Sequence, residues 1–288
     1  MKIDKMPTMV KLLYENILRL TRQEPACARK VSKVLPGNAQ TIGAREEQQD
    51  AFGFSEIGEE NSLSQTGVLA VLADGMGGLQ MGREAAHLAV QTMLNEFAAR
   101  RGAAEFSAEP VQQTLWHILE KANSVVYETA RQRGLALKAG TTLTAAVVLR
   151  NELFWISVGD SRIYLYRDHE LSQLNVEHIY GRELDRKALH QEITWEEAQA
   201  HRDREALTSY VGMPELWEVD RNLRGLPLRA GDWIILCSDG VYRALSMEEI
   251  KEELVGDPAE AAESLIRMVI DKGQAGQDNA TVAILACE

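Results

Sequence analysis

The order of apolar patterns along the 288-residue chain predicts an α+β fold with antiparallel sheets. β-rich apolar runs bunch, long helical patterns follow and strands return, without the strict βαβα alternation of a doubly wound parallel sheet. The elements follow in order. Within Met6–Leu20, Val10, Leu13, Ile17 and Leu20 recur at helical spacing, which predicts an amphipathic helix laid on the domain surface, or one that docks on a partner or membrane surface. Residues 21–40 carry Pro25, Pro36 and Gly37 and read as a linker, so the chain divides into a helix and linker over 1–39 and a main domain over 40–288. In that domain Ala51–Phe54 and Val68–Ala73 read as strands. Helical patterns cover about Arg83–Arg101 and Pro110–Arg133, with Pro110 in the first turn and Gly134 at the exit. Thr141–Leu149, Leu153–Val158 and Trp233–Cys237 are further strands. Asp257 caps a last helix running to about Lys272, and Thr281–Ala286 is the final strand.

Composition excludes several classes. With 45% hydrophobic and 26% charged residues the chain is ordinary globular protein, and about 75% of its unfolded surface can be buried at this length. The net charge of −12 argues against a nucleic-acid binder with a broad basic surface. Cys27, Cys237 and Cys287 form neither a disulfide framework nor a zinc motif, and Cys237, inside an apolar run, reads as a buried small hydrophobe. No stretch approaches the roughly 18 apolar residues of a membrane span. Lys11, Glu15 and Arg19 interrupt the N-terminal apolar segment and no cleavage site follows it, so the expected compartment is a reducing cytoplasm.

The informative feature is the position of the aspartates. Val68–Ala73 ends in Asp74-Gly75, Leu153–Val158 in Gly159-Asp160, and Trp233–Ser238 in Asp239-Gly240; Asp278 directly precedes the last strand, and Asp50 opens Ala51–Phe54. Any one of them is ordinary turn chemistry. Together they are carboxylates that strand ends can bring to one place, where they repel unless a cation sits among them. Oxygen donors without Cys or a HExxH helix select Mg²⁺ or Mn²⁺ over Zn²⁺. Two such ions about 3.5–4 Å apart can activate a water for in-line attack on a phosphoryl group. Gly75, Gly77 and Gly78 permit a tight turn that presents the Gly75 carbonyl as a further oxygen ligand.

These residues fall into blocks: Arg45–Ala51, Leu72–Gly78, Gly140–Thr142, Val158–Arg162, Ala206–Thr208, Cys237–Gly240 and Asp278–Thr281. In order and spacing, over about 40–287, the succession resembles the bacterial PPM-type (type 2C) metal-dependent Ser/Thr protein phosphatases. The resemblance implies a four-layer αββα sandwich with two central antiparallel sheets and a metal channel at one end. It implies Mn²⁺ or Mg²⁺, two ions at the core and a third, weaker one. Asp74 bridges the core pair, Asp239 and Asp278 complete the first ion, the Gly75 carbonyl serves the second, and Asp50 is a direct or water-mediated ligand. Asp160 with Asp239 matches the third site, and Arg45 the arginine that grips the substrate phosphate. The implied catalytic set is thus Arg45, Asp50, Asp74 and Asp239. The implied partners are phosphorylated Ser/Thr proteins and a cognate Ser/Thr kinase, in a bacterial signalling setting.

Departures from the family pattern are local. Gln48 and Gln49 stand where Asn and Glu or Gln are frequent, and Met76 stands where eukaryotic relatives carry a proton-donating His. Of the six His, His178 is the one candidate acid, while His87 and His117 fall in helical patterns. The charged stretch Asn175–Arg204 corresponds to the family's flap, read as a solvated surface or as substrate selection beside the channel. The leading function is hydrolysis of phospho-Ser and phospho-Thr by direct attack of a metal-bridged water, with no phosphoenzyme. An aspartyl-phosphate enzyme is disfavoured, because Leu72-Ala73-Asp74-Gly75 lacks its paired Asp. The alternative from another class is a catalytically weak phosphatase-fold sensor or scaffold that acts by partner binding.

Overall fold

Alternation of side chains within the apolar runs decides how the strands are used. The computed structural model describes residues 29–55, 67–76, 81–101 and 111–288. In it, strand β3 (Val68–Met76) sends Leu69, Val71 and Ala73 to one side and Val68, Ala70 and Leu72 to the other, all fully buried. Burial on both faces makes an antiparallel strand read as an unbroken apolar run.

Two antiparallel sheets result. The first orders β10 (Leu226–Pro227), β6 (Glu152–Val158), β5 (Leu143–Leu149), β3 and β2 (Asp50–Phe54); β4 (Gly140–Thr141) pairs with β3 and β9 (Asp220–Arg221) with β6. The second orders β1 (Val34–Thr41), β12 (Ala280–Cys287), β11 (Trp233–Cys237), β7 (Arg162–Arg167) and β8 (Glu170–Gln173). Val68, Ala70 and Leu72 meet Ile234, Leu236, Ala283 and Leu285 between the sheets. Helices α1 (Gly82–Arg101) and α2 (Val111–Gln132) cover the outer face of the first sheet through Met93, Phe97, Leu115 and Leu119. Helices α6 (Met247–Glu253) and α7 (Pro258–Asp271) cover the second through Ile250, Leu265 and Val269. The Asp257 carboxylate accepts from the Ala259 and Glu260 N–H groups and so caps α7 as expected. The layers are helix, sheet, sheet, helix.

Residues 34–40 were expected to be linker and instead form β1, paired with β12 from Val34 against Cys287 to Thr41 against Ala280. Pro36 and Gly37 disguise this strand. At a sheet edge a proline without an N–H is tolerated, and the glycine lets α7 approach: a Cβ on Gly37 would lie 2.1 Å from the Pro258 carbonyl oxygen. The folded unit therefore reaches back to at least Val34. The amphipathic pattern over Met6–Leu20 and Cys27 lie outside the described residues. Cys237 is buried, as expected. Among the described residues no helix is long and apolar enough to cross a membrane.

Antiparallel pairing sets the ends side by side, with Asp50 opposite Asp74 and the end of β11 beside the start of β12. Replacing Gly37 with Ala should push α7 off β1 and cost about 1–3 kcal/mol, the range for overpacking. The midpoint of urea denaturation checks this.

Candidate metal centre

Asp50 is the carboxylate through which the two sheets touch. It opens β2 and is 2% exposed; its Oδ2 accepts from Ser238 Oγ (2.8 Å) and Thr281 Oγ1 (2.6 Å), both on the other sheet's side. Its Oδ1 is buried without a partner. Burial pushes its pKa up to about 6, against the lowering effect of the two hydroxyls.

Asp74 is fixed by Thr141 and Thr142. Its N–H donates to Thr142 Oγ1 (2.9 Å), and its carbonyl accepts from the Thr142 N–H and Thr141 Oγ1, each at 2.8 Å. Gly75 follows in a crowded place, where a Cβ would sit 2.3 Å from the Gly82 carbonyl oxygen and 2.7 Å from that of Gln49. Asp239 opens the short helix α5 (Asp239–Tyr242), and its Oδ1 is buried and unpartnered. Asn279 ties the neighbouring loop down. Its Oδ1 accepts from the Gln49 N–H (2.8 Å) and its Nδ2 donates to the carbonyls of Ile42 (2.9 Å) and Glu47 (3.1 Å). That loop carries Arg45, whose Nη2 donates to Asp278 Oδ2 at 2.6 Å.

Asp74, Gly75, Asp160, Asp239 and Asp278 line one cavity of about 250 Å³, together with Arg45 and Arg243. Asp50 is not among its lining residues and stands behind Asp74. Burial, then the charges of Asp50, Asp239, Asp160 and Asp278, hold the Asp74 pKa well above the carboxylate range. Burial and the Asp239 charge push Asp160 up to about 7. Burial also raises Asp239, with Arg243 opposing it. Among the described residues no three His, Cys, Asp or Glu side chains close around a single point; Arg45 holds Asp278 and Arg243 lies 3.1 Å from Asp239. The donors suit a hard divalent cation nonetheless. They are all oxygen, and two buried carboxylate oxygens lack any partner.

His178 is not placed as an acid. It is 3% exposed, its Nδ1 accepts from the Gly159 N–H (3.0 Å), and burial lowers its pKa to about 4, so it is a neutral strut under the Gly159-Asp160 turn. The charged stretch 175–204 holds α3 (Tyr180–Leu189) and α4 (Trp195–Ala200), clasped by Arg204 on both Asp185 oxygens (2.8 and 2.9 Å). The cavity is instead reached by Glu205 and Leu207, just after that stretch. Sequence reasoning missed Arg243 and the bracing roles of Ser238, Thr281 and Asn279. Arg243 was signalled by its spacing, four residues after Asp239 and so one helical turn away.

Comparisons with known proteins bear on the family and the fold. The family model described as Protein phosphatase 2C matches residues 39–275. The protein phosphatase PhpP of Streptococcus pneumoniae is 30% identical over 223 residues, 76% of this chain and 85% of that protein. A serine/threonine phosphatase structure from S. agalactiae superposes with a TM-score of 0.74 at 26% identity, covering 88% of this chain and 100% of that one. The PstP catalytic domain, solved in complex with two manganese ions, superposes with a TM-score of 0.68 at 28% identity, covering 88% and 97%.

The crowded carboxylates predict a stability effect. A carboxylate whose folded pKa is raised binds more protons folded than unfolded, so its contribution to stability falls as pH rises from about 4 through the folded pKa. In chelator, Asp74→Asn should therefore stabilise the fold at pH 8 and do so less at pH 5. Thermal melts of variant and wild type at the two pH values test this.

Proposed function

The chain belongs to the protein phosphatase 2C (PPM-type) family of serine/threonine phosphatases, and we propose that it hydrolyses phosphoserine and phosphothreonine in proteins with the aid of Mn²⁺ or Mg²⁺. The observation that carries this reading is the gathering of Asp74, Asp160, Asp239 and Asp278 in one cavity, with one buried oxygen of Asp239 there, and one of Asp50 behind it, left without a protein partner.

In this reading Asp74, Asp239, Asp278 and the Gly75 carbonyl would hold two divalent ions, and Asp50, behind Asp74, would brace them through the second sheet's hydroxyls. Such ions, when bound, supply Lewis acidity that lowers the pKa of water and neutralises phosphoryl oxygens. The remaining work falls to the chain. Arg45 is half-exposed at the cavity, and its planar fork matches a phosphoryl group's oxygens. Because Arg45 is paired with Asp278, Asp278 serving as a metal ligand would leave that fork to the substrate, which would link the state of the centre to substrate binding through one ion pair. Asn279 holds the Arg45 loop against the end of β12 and so fixes the height at which the fork meets its substrate. Burial holds the pKa values of Asp74 and Asp239 above the carboxylate range, so their loss of protons would accompany metal binding and affinity should rise with pH.

The size of the cavity supports a phosphoprotein substrate. An open cavity of about 250 Å³ admits a phosphorylated side chain while the rest of the peptide lies across the surface. A cognate Ser/Thr kinase, supplying those phosphoproteins, belongs to the same reading.

Hydrolysis of a phosphothreonine peptide by the purified protein should appear with Mn²⁺ or Mg²⁺ and vanish on chelation. Asp239→Asn should lower kcat/KM by about 100-fold or more, the scale of several kcal/mol of lost transition-state stabilisation. A folded, metal-loaded wild type without turnover on a panel of phosphopeptides would favour the sensor or scaffold instead. For Arg45→Ala, KM for the same peptide should rise about tenfold, consistent with one charge-assisted hydrogen bond of about 1.5–3 kcal/mol. Steady-state kinetics read this directly, and Arg45→Lys should recover only part of the loss because it lacks the fork.

A further inference from the structure

Arg243 holds a position that the metal reading does not explain. It follows α5 directly and its N–H donates to the Asp239 carbonyl at 2.9 Å, so the single turn that carries Asp239 also turns Arg243 toward it. Its Nη2 lies 3.1 Å from Asp239 Oδ2, 3.8 Å from Asp160 Oδ2 and 3.8 Å from Glu205 Oε2. These carboxylates come from three separate places: the turn after β6, the segment after α4, and α5. Asp160 and Asp239 are themselves nearly buried. The Asp160 turn is also held, since its carbonyl accepts from the Tyr242 hydroxyl at 3.2 Å, and the Tyr242 ring carries the Arg162 guanidinium 3.6 Å from its centroid. The residue next to Tyr242 thus delivers a permanent positive charge to a pair of carboxylates whose backbone is already fixed.

We propose that Arg243 is a built-in counter-cation for Asp160 and Asp239, standing in the place of a third divalent ion and limiting the cavity to the core pair. A guanidinium keeps its charge at any physiological pH. A doubly charged ion entering between Asp160 and Asp239 meets that charge at close range and must displace the side chain to bind. The expectation that Asp160 and Asp239 hold a third, weaker ion is thereby replaced by a covalent cation at that position. The inference depends on the two-ion reading for the baseline count only, because its own signature is a difference between variants.

Mn²⁺ titration of the full chain, with free Mn²⁺ followed by electron paramagnetic resonance, counts bound ions per chain. Arg243→Ala should bind one ion more than wild type, and Arg243→Gln, which keeps the stem without the charge, should do the same. Arg243→Lys should return to the wild-type count, and Arg243→Ala combined with Asp160→Asn should lose the added ion. Circular dichroism confirms that each variant is folded. Equal counts in wild type, Arg243→Ala and Arg243→Gln overturn the proposal, whatever the common number is. The wild-type number separately reports on the core pair: a value of two supports it, and zero removes it while the difference between variants still decides the role of Arg243.

Discussion

The Asp50 carboxylate couples the fold to the site. It belongs to the first sheet yet takes its hydrogen bonds from Ser238, directly after β11, and Thr281, within β12 of the second. The same two residues also bond each other, through the Ser238 N–H to the Thr281 carbonyl and the Thr281 N–H to Ser238 Oγ. A buried carboxylate is tolerated only when its charge is answered, and here hydroxyls answer one oxygen and leave the other bare. The two sheets are therefore held at this end by a group whose second oxygen has no protein partner. The cavity with its four aspartates lies at that end.

The sandwich explains why the acids can be this close. Apolar packing between the sheets, through residues such as Leu72, Ile234 and Leu285, and on their outer faces supplies stability far from the cavity. That stability offsets the repulsion among Asp74, Asp160, Asp239 and Asp278 at one end. Two arginines moderate the repulsion from opposite sides, Arg45 on Asp278 and Arg243 on Asp239. Their roles differ by position. Arg45 sits on a loop pinned by one asparagine, whereas Arg243 directly follows the helix turn that carries its own partner.

Much of this was legible in the residues. Strand runs, the two long helices and the Asp257 cap follow from local pattern, because burial periodicity and capping are properties of neighbours in sequence. β1 was not legible, since Pro36 and Gly37 are turn residues unless an edge position and a close helix give them another use. β7 was hidden for a similar reason, beginning at Arg162 and carrying charge at both ends. His178 could not be assigned from sequence because its neutrality comes from burial against Gly159, a contact across 19 positions.

By itself the sequence determined which donor atoms the site offers: aspartates at strand ends, glycine after Asp74, and an arginine before the first of them supply hard oxygen donors and one guanidinium. Residue type and spacing carry that information because they set charge, donor atoms and local turns. Only the tertiary structure decided which aspartates share the cavity and which one braces it from behind. The strand register opposes Asp50 to Asp74 while turning Asp50 toward the second sheet. It alone also decided that Arg243 faces three carboxylates at once. Coulomb interaction depends on separation in space, and no local pattern in the chain encodes the distance between residues 160, 205 and 243.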